Sequence, residues 1–313
     1  MRPLRLAIIG FGKIAGDQHV PAIAANPRLE LVATSSRTGQ GTARQFTDWR
    51  QLLAEVDGLD AVAITTPPSI RHEIARTCME RGLHCLLEKP PTDTLSEIHD
   101  LASIARDREV TLFTTWHAQH NPAVEAAADA LAGQRISTMD ILWHEDVRKW
   151  HPGQQWIWEP SGFGVFDPGI NAFSIATKIF PGALLVRSAD LFYPGDAHTP
   201  IAAEIAFASA AADGPLRCSL DWRRTAGEEW TITVRTADGV EVRLEGGGSR
   251  LLIDGVEAAV NGEGQGDGEY PDLYRTFVEL IDERRSRVDV VPLRLVADCL
   301  LAGRRHQVSE VAT

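Results

Sequence analysis

The sequence predicts an α/β protein in which a doubly wound parallel sheet is followed by an α+β domain with a large, mostly antiparallel open sheet. Three observations lead to this fold class. A glycine-rich turn follows an apolar run near the start, apolar runs and helical segments then alternate as far as residue 119, and polar and apolar residues alternate from Ile136 onward. We therefore place one domain over residues 1–119 and a second over residues 120–313, with the last helix packing back on the first domain.

Composition excludes several classes of function. The 313 residues carry a formal net charge of −12, and the sequence pI is about 5.3. We expect no nucleic-acid partner, because that would need a clustered basic surface. We also expect no membrane span, since no run approaches the ~18 apolar residues required. The 4 cysteines form no CxxC pair, which argues against a zinc site or a disulfide framework and favours a reducing cytoplasm.

A glycine fingerprint opens the first domain. The predicted strand Leu4–Ile9 runs directly into Gly10–Ala15, which has the spacing G-x-G-x-x-A and leads into a helix. The first glycine allows a tight turn, the second lets a pyrophosphate approach the backbone, and the small alanine lets the helix pack on the strand. The alternative is a glycine-rich turn without a ligand. We predict a Rossmann-type nucleotide site contacted by Gly10, Gly12, Lys13 and Ile14.

The end of the second predicted strand favours NADP. Glu30–Ser35 is followed by Ser36 and Arg37, at the point where folds that prefer NAD place a carboxylate for the ribose hydroxyls. A hydroxyl and a guanidinium suit a 2′-phosphate instead. We predict that Ser36 and Arg37 bind NADP, with NAD as the alternative cofactor. The other interpretation is an ordinary exposed arginine after a strand.

The rest of the first domain alternates strands and helices, as a parallel sheet requires. The predicted strands are Ala61–Ile64, Leu83–Leu87 and Val110–Thr115. The predicted helical segments are Ala43–Phe46, Trp49–Glu55, Ile70–Arg81 and Leu95–Asp107. Ligands bind beyond the carboxyl ends of parallel strands, so Thr66 and Pro67 join the predicted cofactor-binding residues.

A charged pair, Glu88 and Lys89, lies between the apolar run Leu83–Leu87 and two prolines, Pro90 and Pro91. Pro90 fixes its own φ and Pro91 restricts Pro90, so the lysine is presented on a stiff backbone where a strand ends. We predict that both charged residues contact the cofactor and that Lys89 takes part in catalysis. The alternative is a solvated ion pair on a loop.

Short alternating runs characterise the second domain. Its predicted strands are Ile136–His144, Leu184–Phe192, Ala202–Phe207, Leu216–Trp222, Trp230–Arg235, Val240–Leu244 and Leu251–Ile253. Its predicted helices are Ala123–Ala132, Ile170–Phe180, Tyr270–Arg285 and Leu293–Arg304, and a mobile surface turn is predicted over Gly262–Gly268.

Aromatic and charged residues crowd between Trp143 and Asn171. Tryptophan faces beside carboxylates and amides suit a sugar, which has apolar C–H faces and a rim of hydroxyls. The alternative is an insertion that packs on the sheet through its aromatics. Asp167 lies directly before a proline, which is typical of a helix N-cap. It also lies four residues before Asn171, so both side chains can point to one side of a helix.

The sequence resembles the glucose–fructose oxidoreductase, inositol dehydrogenase and rhizopine-catabolism (Gfo/Idh/MocA) family of NAD(P)-dependent oxidoreductases. The fingerprint, the Glu88-Lys89-Pro90 corner and the runs 145–160, 164–171 and 292–298 carry the resemblance. Within the family, the runs 145–160 and 164–171 resemble aldose 1-dehydrogenases that act on L-arabinose or D-galactose. The resemblance implies hydride transfer from the anomeric carbon to the nicotinamide, with an aldonolactone as product.

The resemblance also implies roles for individual residues. Lys89 matches the family lysine, and Asp167 matches the aspartate at the head of the family's substrate-domain helix. Both are candidate bases, and we favour Asp167. Many members have histidine four residues after that aspartate, whereas Asn171 cannot titrate, so a proton relay ending in histidine there is not expected. The predicted substrate-binding residues are Glu145, Trp150, His151, Asp167, Asn171 and Trp230.

Other interpretations stay open at this point. The chain could be another sugar or inositol dehydrogenase of the same family, or a nucleotide-sensing regulator without turnover. The presence of both Lys89 and Asp167 argues against a regulator. We expect a small-molecule aldose as the partner and a homo-oligomer formed through the sheet of the second domain.

Overall fold

The computed structural model describes residues 2–39, 41–259 and 268–309. Contacts between Cα atoms divide the chain into two compact units, one of residues 1–117 with 266–290 and one of residues 118–265 with 291–313. The sequence predicted a single boundary at residue 119, whereas residues 266–290 are grouped with the first unit. The predicted turn Gly262–Gly268 lies outside the described residues except for Gly268.

A parallel sheet forms the centre of the first unit. Among the described residues it has six strands in the order β3-β2-β1-β4-β5-β6. They are β1 (Leu4–Ile9), β2 (Leu29–Ser35), β3 (Arg44–Phe46), β4 (Ala61–Ile64), β5 (His84–Leu87) and β6 (Leu112–Thr114). The strand order reverses between β1 and β4, and a ligand crevice is expected at the carboxyl ends of those two strands.

Helices of the first unit connect these strands. They are α1 (Val20–Ala25), α2 (Trp49–Glu55), α3 (Arg71–Glu80) and α4 (Leu95–Asp107). The predicted bounds of α4 are confirmed, and a capping box of Thr94 and Glu97 fixes its start. The helical prediction for Ala43–Phe46 is wrong. Ala43 has a left-handed φ of 56°, and the residues after it pair with β2 as an edge strand.

The second unit contains a mixed sheet flanked by helices. The helices that lie within its first part are α5 (Pro122–Leu131), α6 (Val147–Trp150) and α7 (Phe166–Ile179). The described strands are β7 (Ile136–His144), β8 (Leu185–Pro194), β9 (Ala202–Ala208), β10 (Leu216–Asp221), β11 (Glu229–Thr236), β12 (Glu241–Glu245), β13 (Arg250–Ile253), β14 (Val256–Glu257) and β15 (Arg304–Val308). Their order is β14-β13-β12-β11-β7-β10-β9-β8-β15. All neighbours are antiparallel except β10 with β7 and β15 with β8, so the mostly antiparallel sheet is confirmed.

Two late helices belong to different units. Helix α8 (Glu269–Asp282) is part of the first unit, and α9 (Val291–Ala302) is part of the second. Leu273, Tyr274 and Phe277 of α8 share a buried core with Leu6 and Ile8 of β1. This burial explains why the apolar residues of α8 recur at helical spacing.

The end of the last helix differs from the prediction of a helix to Arg304. Helix α9 stops at Ala302, and Arg304 begins β15, which pairs with β8. A Cβ on Gly303 would lie 2.4 Å from the carbonyl oxygen of Cys299, so the chain needs glycine at this turn. No helix in the described ranges is long and apolar enough to cross a membrane.

Candidate active site

The fingerprint turn lies at the carboxyl end of β1. Gly10 has φ of 103°, and a Cβ there would lie 2.5 Å from the backbone nitrogen of Thr66. A Cβ on Gly12 would meet no atom within 4 Å. The first position therefore requires glycine for the close approach of two strand ends, and the second leaves open space beside the backbone. A π-helical turn, Ala15–His19, then leads into α1, a feature that the sequence did not predict.

The residues at this crevice fit a dinucleotide. The Thr66 hydroxyl oxygen is buried and has no hydrogen-bond partner among the described residues. Buried polar atoms are normally paired, so an unpaired hydroxyl beside the fingerprint calls for a ligand. Pro67 is exposed directly after it. Gly10, Gly12 and Thr66 would hold the pyrophosphate side of NAD(P) in this unit.

The predicted ribose-binding residues lie in a tight turn after β2. The Gly39 amide donates to the Ser36 carbonyl at 3.0 Å, and the Ser36 amide donates to the Phe46 carbonyl at 3.0 Å. The Arg37 side chain is exposed within this turn. Two further predicted contacts, Lys13 and Ile14, are also exposed. All of these side chains are accessible to a ligand at the edge of the unit.

Glu88 is the centre of a buried hydrogen-bonded cluster. It is 4% exposed. His19 Nε2 lies 3.1 Å from Glu88 Oε1, and the Tyr270 hydroxyl donates to the same oxygen at 2.9 Å. His19 Nδ1 in turn lies 2.7 Å from the Tyr274 hydroxyl. His117, stacked on Tyr270 at 5.6 Å, contacts Glu269.

This cluster determines the charge of Glu88. Burial alone would raise the pKa of the carboxyl. The hydrogen bond and attraction of His19, the charge of His117 and the Tyr270 hydroxyl outweigh burial and lower the pKa to about 2. Glu88 is therefore a carboxylate at neutral pH.

The backbone around Lys89 is held from two sides. Its amide donates to Glu88 Oε2 at 2.8 Å. The buried guanidinium of Arg71 donates to the carbonyl oxygens of Glu88, Pro90 and Thr66. Lys89 is half-buried, and its peptide bond to Pro90 is cis. The predicted stiff presentation of the lysine thus has a physical basis, to which Arg71 contributes without having been foreseen.

Glu145 binds two tryptophan indoles in the second unit. It is 4% exposed. The Trp222 indole nitrogen donates to Oε1 at 2.9 Å, and that of Trp230 donates to Oε2 at 3.0 Å. Trp230 also packs against Trp143 at 6.0 Å and Trp150 at 5.8 Å between ring centroids. One cluster therefore contains three predicted sugar-binding residues, Glu145, Trp150 and Trp230. It also contains Trp222, which was not predicted from the sequence.

Asp167 lies in the first turn of α7, where the N-cap residue is Val165. The N-cap interpretation of Asp167 is therefore wrong. Its Oδ2 atom lies 3.3 Å from Nε2 of His151, and the side chain is 9% exposed. Asn171 follows one turn later, and its Oδ1 atom is buried without a partner in the described part of the chain. The site thus combines a carboxylate, an imidazole that faces it, and an amide oxygen without a partner in the described part of the chain.

Comparison with known proteins establishes the family. A model described as an oxidoreductase family with an NAD-binding Rossmann fold matches residues 4–116. The galactose 1-dehydrogenase of Pseudomonas fluorescens is 43% identical over 310 residues, which cover 98% of each chain. This chain belongs to the Gfo/Idh/MocA oxidoreductase family. As a member of this family it is an NAD(P)-dependent oxidoreductase that acts on CH–OH groups.

Solved structures agree with this family membership. The crystal structure of a D-galactose-1-dehydrogenase from Rhizobium etli matches with a TM-score of 0.93 and 43% identity, over 100% of this chain and 99% of that chain. A 3-ketoreductase from Actinomadura kijaniata, solved with NADP and TDP-benzene, matches with a TM-score of 0.79. Its identity is 18%, over 98% of this chain and 99% of that chain, and this likeness shows the fold alone.

Proposed function

We propose that this family member is an aldose 1-dehydrogenase that oxidises C1 of D-galactose, L-arabinose or a similar sugar to the aldonolactone. The main support is the similarity over 98% of the chain to a galactose 1-dehydrogenase, at 43% identity. The second unit adds polar groups and aromatic faces of the kind that a sugar requires, in Asp167, Asn171 and the cluster around Glu145.

We propose NADP as the preferred cofactor. The turn after β2 carries Ser36 and the exposed Arg37, where a carboxylate would favour NAD. A guanidinium donates several hydrogen bonds in a planar fork, which matches a phosphate better than a pair of ribose hydroxyls. The bound nicotinamide would supply the hydride acceptor for C1.

The residues of this chain would handle the proton and the charge. We assign Asp167 as the general base that takes the proton of the anomeric hydroxyl, because it is a carboxylate in a buried first turn. Asn171, whose Oδ1 atom has no partner among the described residues, would hold that hydroxyl through its side-chain amide. Lys89 would lower the cost of negative charge on the anomeric oxygen.

A spectrophotometric panel of sugars tests this function. The protein is incubated with NADP or NAD and each sugar, and the reduced nicotinamide band is followed. We expect D-galactose and L-arabinose to be oxidised, because their ring hydroxyls share one pattern. D-Glucose, inverted at one hydroxyl, should have a kcat/KM lower by about one to two decades, since a buried polar group is left unpaired. Oxidation of an inositol but of no aldose would contradict the proposal.

A further inference from the structure

His151 lies between two polar side chains that engage both of its ring nitrogens. Nε2 lies 3.3 Å from Asp167 Oδ2. Nδ1 lies 3.3 Å from Oε1 of Gln154, and the Trp156 indole nitrogen donates to that same oxygen at 2.9 Å. A side-chain oxygen therefore already lies 3.3 Å from each ring nitrogen, which argues against a role as a plain sugar-binding side chain.

These contacts determine the tautomer of His151. An indole N–H can only donate, so the Gln154 atom that it contacts must be the amide oxygen. That oxygen can only accept, so Nδ1 of His151 must carry a hydrogen. In the neutral ring, Nε2 then has a bare lone pair facing the Asp167 carboxylate. Two acceptors at this distance are stabilised by one proton between them, so the pair is built to take up a proton.

We propose that His151 is the final acceptor of the substrate's hydroxyl proton, which reaches it through Asp167; this rests on the function proposed above. The O–H bond of the anomeric hydroxyl breaks, and its proton moves to Asp167 and then to Nε2 of His151. The C1–H electron pair leaves as hydride to the nicotinamide, and the C1=O bond of the lactone forms. Asp167 ends as a carboxylate and His151 as an imidazolium.

The surroundings of His151 allow the proton to leave afterwards. The ring lines a cavity of about 200 Å³ that is also lined by Arg148, Gly153 and Gln154. Water in such a space can take the proton from the imidazolium once product has left. Asn171 of α7 cannot replace His151 in this step, because a side-chain amide does not take up a proton near neutral pH.

Charged groups on several elements surround His151. Asp167 faces it from α7, and Glu145 accepts a hydrogen bond from Trp222, whose ring packs on His151 at 5.2 Å between centroids. On its own segment, Arg148 pairs with Asp146 and Lys149 with Glu228. Protonated His151 cannot accept the substrate's proton, so turnover should fall as the medium becomes acidic.

The test compares His151→Gln with His306→Gln, whose histidine is exposed and bonded to Asp190. Glutamine at 151 keeps a hydrogen-bonding side chain but cannot take up a proton. We expect kcat in His151→Gln to fall by about ten- to hundred-fold. In the wild type, protonation of one group should lower kcat at acidic pH, and this decrease should be absent from His151→Gln. The KM for sugar should change less than about three-fold, since Asp167 and Asn171 remain. The His306→Gln control should keep the wild-type kcat and pH profile.

Chemical rescue and NMR complete the experiment. In His151→Ala, added imidazole should restore turnover in proportion to its unprotonated form. Nitrogen NMR of protein labelled at histidine is recorded without substrate, and the signal that is lost in His151→Gln belongs to His151. In the wild type this signal should show the Nδ1–H tautomer. A wild-type pH profile in His151→Gln, a rise in the KM for sugar with unchanged kcat, or an Nε2–H tautomer would overturn the proposal.

The same measurements separate this proposal from the proposed function. If wild-type protein oxidises no aldose, the function is wrong. The His151 variants are then assayed on the alcohol that the wild type does oxidise. The NMR result stands without any substrate, so it supports or overturns the proton-accepting pair by itself.

Discussion

Replacing Glu88 by glutamine removes the buried negative charge from the first unit while keeping the shape of the side chain. His19 and Tyr270 would lose their charged partner, although both stay buried. The backbone amide of Lys89 would keep an oxygen to which it can donate. The variant therefore isolates the energetic effect of the charge from that of packing.

The expected magnitude follows from the pKa of Glu88. The fold lowers it from 4.5 to about 2, and each pKa unit corresponds to about 1.4 kcal/mol, so the charge contributes about 3 kcal/mol at neutral pH. A lowered pKa means that this stabilisation is fully present above the unfolded value of 4.5 and is lost as the pH falls towards about 2. Between about pH 5.5 and about pH 3.5 the loss should be about 1 kcal/mol.

The assay is urea unfolding at a series of pH values, with hydrogen exchange of the β5 segment to locate the change in the first unit. Glu88→Gln should be about 3 kcal/mol less stable than wild type near neutral pH, and the gap should narrow on acidification. Glu73→Gln is the matched control, because its side chain is 63% exposed and pairs with Arg50 on the surface. A wild-type–variant difference that stays constant across this pH range would refute the reasoning.

Three further substitutions test the proposed roles. Arg37→Ala should lose about 1 to 3 kcal/mol of charge-assisted hydrogen bonding to NADP, which would raise the KM for NADP by about one to two decades. The KM for NAD should stay nearly unchanged, and equal losses with both cofactors would count against the assignment. Asp167→Asn should lower kcat by about two to four decades while NADP affinity, measured by fluorescence titration, stays near wild type; a folded variant that retains most of its turnover would exclude Asp167 as base. Gly10→Ala should lower both Tm and NADP affinity, because its methyl group would lie 2.5 Å from the Thr66 nitrogen. Gly12→Ala, which meets no atom within 4 Å, is its control for Tm, and equal Tm values for the two variants would contradict this account.

Local signals in the sequence predicted much of the fold. The bounds of α4 and β7 were correct because a capping box and a regular alternation of side chains are encoded in neighbouring residues. The segment Ala43–Phe46 failed, since its strand forms by pairing with β2 and not by local preference. The start of α7 also failed, because Phe163 and Gly164 take left-handed φ values of 68° and 54° and turn the chain into a helix at Phe166.

The candidate site was predictable as a set of residues but not as a set of contacts. The carboxylates and tryptophans between Trp143 and Asn171 were visible, whereas the binding of two indoles by Glu145 depends on strands that meet only in the fold. The contacts of Glu88 were even less predictable from the sequence. His19 lies 69 positions before it and Tyr270 lies 182 positions after it. Separations of this size leave no local pattern in the sequence.

The return of the chain to the first unit through α8 restricts how this protein can be divided. An amino-terminal fragment ending at residue 119 would uncover Leu6 and Ile8, which share their core with Tyr274 and Phe277. It would also leave Glu88 without the Tyr270 hydroxyl. Such a fragment is expected to aggregate, because apolar surface from the centre of the unit would be exposed to water. An autonomous nucleotide-binding module would need residues 268–290 attached through a short artificial linker, and swapping modules between relatives would require two junctions in place of one.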